Sequence, residues 1–142
     1  MKNKIHTIEV ENNETQSVEK IIEKIKENKI IYVKNKFYEY EDVLDSITEH
    51  GPGIILNSSG SSGKPRQCFH HLNNLKLSAV TSGQWLIDQG FELQNCLILN
   101  TLPLNHISGL MPIFRSQTWG CCLLYTSPSP RDLSTSRMPS SA

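Results

Sequence analysis

The sequence has no long apolar run. None of its hydrophobic stretches approaches the roughly 20 residues that a membrane-spanning helix needs, and the opening Met1-Lys2-Asn3-Lys4-Ile5-His6 has no signal-peptide core. It also lacks an excess of charge of either sign, since 14 Lys and Arg balance 14 Asp and Glu. Aromatics make up only 7% of the chain and no basic patch interleaves with them, which argues against nucleic acid as the main partner. Cysteine is scarce and unpatterned: Cys68 and Cys96 are far apart, no C-x-x-C spacing occurs, and Cys121 and Cys122 are adjacent. The spacing offers no zinc ligand set, and Cys68 and Cys96 are expected to be buried free thiols. With no leader, no span and no disulfide framework, the expected compartment is the cytoplasm.

Paired catalytic carboxylates are missing too. Asp42, Asp45 and Glu49 lie at helical spacing, which a solvated helix face explains without any acid–base role. His70 and His71 are neighbours in an extended segment, so they point to opposite faces and make no metal pair; His6 and His50 are expected in solvent. Trp85 and Trp119 read as core or interface aromatics. No metal ligand is assigned.

What is present is concentrated in one stretch. Gly53-Ile54-Ile55-Leu56-Asn57 is a short apolar run that empties into Ser58-Ser59-Gly60-Ser61-Ser62-Gly63-Lys64-Pro65-Arg66. Glycine lets the backbone bend until successive N–H groups converge on an anion, while four serines add hydroxyl donors and Lys64 and Arg66 add charge. The chemistry suggested is the grip of a nucleotide's phosphates. The loop is not a Walker A sequence, because Pro65 stands where that motif needs Ser or Thr. A Ser/Gly repeat is also the composition of a flexible connector. Its flanks argue for the loop: Ile54-Ile55-Leu56 before it and Arg66-Gln67-Cys68-Phe69 after it both read as strands.

Ser58 to Arg66 resembles the phosphate-loop signature of the AMP-binding, adenylate-forming superfamily, [ST]-[ST]-G-[ST]-[ST]-G-x-P-K, with Arg66 in place of the final Lys. That exchange keeps the charge but turns a point ammonium into a planar fork. Downstream, Leu102-Pro103-Leu104-Asn105-His106-Ile107-Ser108-Gly109-Leu110 resembles the family's next motif, L-P-[LM]-x-H-[IV]-x-G-L, in the expected order and spacing. The resemblance covers about Gly51 to Gly120. Within the superfamily, the compact loop, the run from His70 to Leu77 and Asn105 to Pro112 look like the short o-succinylbenzoate:CoA ligases of menaquinone and phylloquinone synthesis.

The resemblance implies a two-step reaction. A small-molecule carboxylic acid attacks the α-phosphate of ATP, carried with Mg2+, to give an acyl-adenylate and pyrophosphate; coenzyme A then displaces AMP. It also implies that Ser58, Ser59, Gly60, Ser61, Ser62, Gly63, Lys64 and Arg66 hold the ATP phosphates, and that His106 contacts the acyl-adenylate. Bottom-up, His106 follows Pro103 near a strand end, where open α/β sheets place ligand contacts, although a structural histidine fits that position equally well. Such chemistry is mostly positioning and charge neutralisation. Two readings from other classes stay open: a stand-alone nucleotide- or anion-binding module, and a small interaction domain whose Ser/Gly stretch is only a connector.

The rest of the chain alternates helix and strand, which predicts an α/β sheet layer. Val18, Ile21, Ile22 and Ile25 make an amphipathic helix over Ser17–Asn28, with Ser17 as its cap. Ile30–Val33 reads as a strand and Glu41–Thr48 as a short helix turning Val43, Leu44 and Ile47 inward. Leu72–Gln89 is the longest helical pattern, with Leu72, Leu75, Ala79 and Leu86 on one face and Gly90 ending it. Cys96–Asn100 reads as a buried strand, and Ser108–Trp119 as a helix capped by Ser108.

Three segments are expected. Residues 1–50 are a divergent N-terminal segment; residues 51–121 are a partial AMP-binding domain with the phosphate loop, incomplete because that fold needs several hundred residues. Residues 122–142, from Cys122-Leu123-Leu124-Tyr125 through Ser127-Pro128-Ser129-Pro130, resemble a translated sequencing adapter and are expected to be an artefactual, disordered tail.

Overall fold

A computed structural model describes residues 3–11, 15–43, 45–58 and 63–125. Four strands, β1 (Ile5–Val10), β2 (Ile30–Asn35), β3 (Gly53–Ser58) and β4 (Arg66–His71), form one sheet in the order β1-β2-β3-β4. The first three run parallel, and β4 returns antiparallel with Gly53 opposite His71 and Ser58 opposite Arg66. The sheet therefore joins residues on both sides of position 50.

The continuous apolar run of β2 has a physical cause: both of its faces are covered. Ile31 and Val33 point into a large cluster with Ile54 and Leu56 of β3, fed by helices α1 (Thr15–Lys26), α2 (Leu72–Asp88) and α3 (Ile107–Trp119). Ile30 and Tyr32 point the other way, joining Ile55 and the half-buried Tyr40, Val43, Ile47 and Phe69. One face thus carries the helices, and the other is sealed by the irregular segment between β2 and β3. A second sheet pairs β5 (Leu97–Asn100) with β6 (Cys122–Tyr125), in parallel, across α3.

The expected amphipathic helix is present as α1, but Ser17 lies inside it and is buried, so it is not the cap. Helix α2 buries Leu72, Leu75, Ala79 and Gly83, with Leu86 half-buried. It ends in a Schellman turn: Gly90 has φ of 91°, its N–H donates to Ile87 O at 2.9 Å, and the Phe91 N–H donates to Leu86 O at 3.1 Å. Against α2 packs Trp119 of α3, whose Nε1 donates to Ala79 O at 2.7 Å. A side chain at Gly83 would occupy the space of that indole. Trp85 is 61% exposed and is not a core residue. Pro112 sits within α3, leaving the Ser108 carbonyl without its i+4 donor, and Ser108 is exposed to water.

Other expectations are corrected. The helix read over Glu41–Thr48 is a 3-10 turn over Asp45–His50, and Leu44 falls outside the described residues. Strand β1 has no counterpart in the reading of residues 1–50, and it leaves His6 half-buried rather than solvated. Cys68 and Cys96 are free thiols but only half-buried, each with its Sγ near a backbone carbonyl. Cys122–Tyr125 form β6, with Leu123 and Tyr125 packed on the main core, so structure runs four residues into the expected tail; residues 126–142 lie outside the described residues. No described helix is long and apolar enough to cross a membrane.

Candidate functional site

Strands β2 and β3 are parallel neighbours, so their C-terminal ends, Asn35 and Ser58, open on the same rim of the sheet. That rim is where ligands meet open α/β sheets. A cavity of about 490 Å³ lies there, lined by the turn after β2 (Asn35, Tyr38, Tyr40), the ends of the β3–β4 loop (Asn57, Ser58, Gly63, Pro65) and the turn before α3 (Pro103, Asn105, His106). The two sequence motifs, some forty residues apart in the chain, face one space.

The first wall is the loop. Ser58 Oγ accepts the Arg66 N–H at 3.2 Å, closing the loop at its base. Gly63 has φ of 86°, a conformation that side chains avoid. Lys64 and Arg66 are exposed and do not line the cavity themselves. Ser59, Gly60, Ser61 and Ser62 lie outside the described residues.

The second wall is held from beneath by Asn100, the last residue of β5. Its Nδ2 donates to Gly109 O at 2.7 Å, and its Oδ1 accepts the Leu102 N–H at 3.1 Å, so one buried amide ties the strand end to both the turn and the helix. His106 N–H then donates to Pro103 O at 3.1 Å, and the His106 carbonyl accepts from the Gly109 and Leu110 N–H groups at 3.1 and 3.0 Å. His106, not Ser108, is the N-cap residue, and no side chain caps the helix. The start of α3 at Ile107 has no side-chain cap, and a helix N-terminus of this kind favours negative charge. Glycine is required at 109 because a Cβ there would collide with the Pro103 carbonyl.

The third wall was not legible as part of the site. Asn57 Nδ2 donates to Tyr32 OH at 2.8 Å inside the sheet, and Asn57 lines the cavity. Burial pushes the Tyr40 hydroxyl above its usual range, with a hydrogen bond to the Asn35 backbone acting against the shift. The signal available for these residues is their position: Asn35 and Asn57 end or nearly end parallel strands.

The arrangement suits an anionic ligand with an apolar body. Among the described residues no carboxylate lines the cavity, and its side chains would offer a magnesium ion hydroxyl and amide oxygens.

No protein-family model and no curated protein sequence matches this one. The fold is the α/β fold of adenylate-forming enzymes, present in part. Solved structures that share it include those of o-succinylbenzoate CoA synthetase from Bacillus subtilis. With its acyl-adenylate intermediate, that enzyme superposes with a TM-score of 0.56 at 17% identity, over 96% of this chain and 47% of that one. Its complex with AMP gives 0.57 at 17% over 96% and 47%, and its complex with ATP and magnesium ion gives 0.54 at 19% over 96% and 48%. The chain spans about half the length of the structures it matches. At these identities the likeness is one of fold, and at that level the resemblance read from the two motifs holds.

Proposed function

We propose that this chain is part of an ATP-dependent, adenylate-forming acid:CoA ligase acting on o-succinylbenzoate or a similar acid, as in menaquinone or phylloquinone synthesis. One observation carries the reading: the ends of the phosphate-type loop, Ser58 and Gly63, and His106 of the second motif line a single cavity at the C-terminal rim of parallel strands. The loop, Ser58 through Lys64 with Arg66, grips the phosphates of ATP. Its N–H groups and hydroxyls take oxygens directly, and the two exposed cations neutralise the charge that grows on departing pyrophosphate. His106, fixed by the Asn100 clamp, stands on the acyl side and orients the carboxylate for attack. Coenzyme A is the acceptor in the second half-reaction. The partners are small molecules, and the cytoplasm is the compartment.

The test is a titration of the 142-residue chain with ATP, followed by backbone amide NMR. The reading expects Ser58, Gly63 and His106 to shift together. Shifts confined to other surfaces, or none in a folded chain, would overturn it.

A further inference from the structure

We propose that Cys96 and Cys121 are a dithiol–disulfide pair, a redox modification site that ties the start of β5 to the start of β6. The site goes beyond the nucleotide reading and uses neither of the two motifs.

Strand register brings the two cysteines together. Strands β5 and β6 run parallel with Leu97 opposite Cys122, so the residues one step earlier, Cys96 and Cys121, stand side by side. Cys96 is already extended, with φ of −77° and ψ of 152°. Exposure alternates in step along both segments: Cys96 and Ile98 are half-buried around the exposed Leu97, and Cys121 and Leu123 around the exposed Cys122. Cys96 and Cys121 therefore share one face of the pair, and Cys122 is on the other. Neighbouring strands lie about 4.8 Å apart, within the roughly 4.4–6.8 Å between Cα atoms that a disulfide spans. Paired side chains keep that strand spacing, slightly more than the Cβ atoms of a disulfide do. Closure thus draws the strand starts together and leaves a bond that is readily reduced again.

Both positions are set by the turns before them. The Cys96 N–H donates to Leu93 O at 3.1 Å. Just ahead of Cys121, Gly120 ends α3 with φ of 68°, and its N–H donates to Ser116 O at 3.0 Å. Both cysteines are free thiols, and Cys96 Sγ donates to Glu92 O at 3.4 Å, a weak bond that closure gives up. Burial pushes the Cys121 thiol up, and the neighbouring Cys96 and Cys122 sulfurs add to the shift, which suits Cys121 to act second. With oxidised glutathione as the oxidant, the Cys96 thiolate attacks one sulfur of that disulfide and expels a glutathione thiolate. The Cys121 thiolate then attacks Cys96 Sγ in the mixed disulfide and expels the second. In sum one S–S bond breaks and one forms, and the two protons of the protein thiols end on two reduced glutathiones. The closed ring, residues 96–121, contains the His106 turn and all of α3.

The experiment equilibrates the reduced 142-residue chain with mixtures of oxidised and reduced glutathione, blocks the remaining thiols and maps the bridged peptides by mass spectrometry. The folded chain should give the Cys96–Cys121 bridge as its dominant pairing, at a rate independent of protein concentration, and dithiothreitol should reverse it. Cys122→Ser should keep the bridge, whereas Cys96→Ser and Cys121→Ser should each lose it and leave only mixed disulfides with glutathione. In concentrated urea the preference should disappear. The inference is overturned by a wild-type chain, folded by its amide spectrum, that stays reduced, pairs Cys122 with Cys96 or Cys121 instead, or links only between molecules. The same yield of Cys96–Cys121 in urea also overturns it, because the fold would then not select the pair. None of these outcomes depends on ATP binding, so the proposed function stands or falls separately.

Discussion

The loop wall and the His106 wall of the cavity hold their residues in opposite ways. At the described ends of the loop, Ser58 Oγ to the Arg66 N–H closes the base, and Lys64 and Arg66 are exposed. At the other wall one buried amide, Asn100, clamps strand, turn and helix together, and Gly109 lets α3 lie directly on the Pro103 carbonyl. The difference teaches a division of labour. The base of the loop is closed by one hydroxyl, while the His106 wall is fixed by a buried amide and by packing.

The sharpest way to break this contrast is Gly109→Ala. If the His106 wall is rigid, the added methyl must displace the Pro103 turn, at a cost of about 3 kcal/mol of stability in urea unfolding; a loss under about 1 kcal/mol would show that the wall yields. Asn100→Ala should come next, at about 2 kcal/mol, since it removes the buried amide that bonds both the Gly109 carbonyl and the Leu102 N–H. The loop should behave differently. Gly63→Ala at φ of 86° should cost only about 1 kcal/mol, yet it should remove the joint shift of Ser58 and His106 on adding ATP. A retained shift would separate Gly63 from the phosphate grip.

The smallest effect is one of pH. Burial lowers the pKa of His70 on β4, and burial followed by Lys24, Lys4 and Lys29 lowers that of His6 on β1. A histidine depressed in the folded state takes up its proton more readily when unfolded, so stability should be level above the unfolded pKa near 6.5 and fall as the pH drops below it. His70→Gln should flatten part of that slope in urea unfolding measured between pH 7.5 and 5. An unchanged slope would remove His70 as a cause.

The motif walls were legible because their chemistry depends on residue type at fixed spacing. Gly63, Pro65 and Gly109 are dictated by local backbone demands, which a sequence displays. The helices followed from apolar periodicity, and their boundaries erred where caps were assumed to be serine: Ser17 is buried inside α1, and the residue before α3 is His106. Strand β1 escaped because Ile8 and Val10 alone mark its buried side, too short an alternation to stand out. The tyrosine wall escaped for a deeper reason. Tyr38 and Tyr40 reach the cavity only because β2 pairs with β3, and such a pairing is a tertiary fact that no local pattern carries.

The β3–β4 hairpin has a mechanical consequence. Strand β4 passes into α2 with no residue between His71 and Leu72, and the Leu72 N–H donates to Pro52 O at 3.2 Å, pinning the junction to the root of β3. The hairpin is therefore fixed at its helix end, with the loop at the other end and β3 held by β2 over Gly53–Ile55. A push at the tip passes along six paired residues before it reaches the anchor.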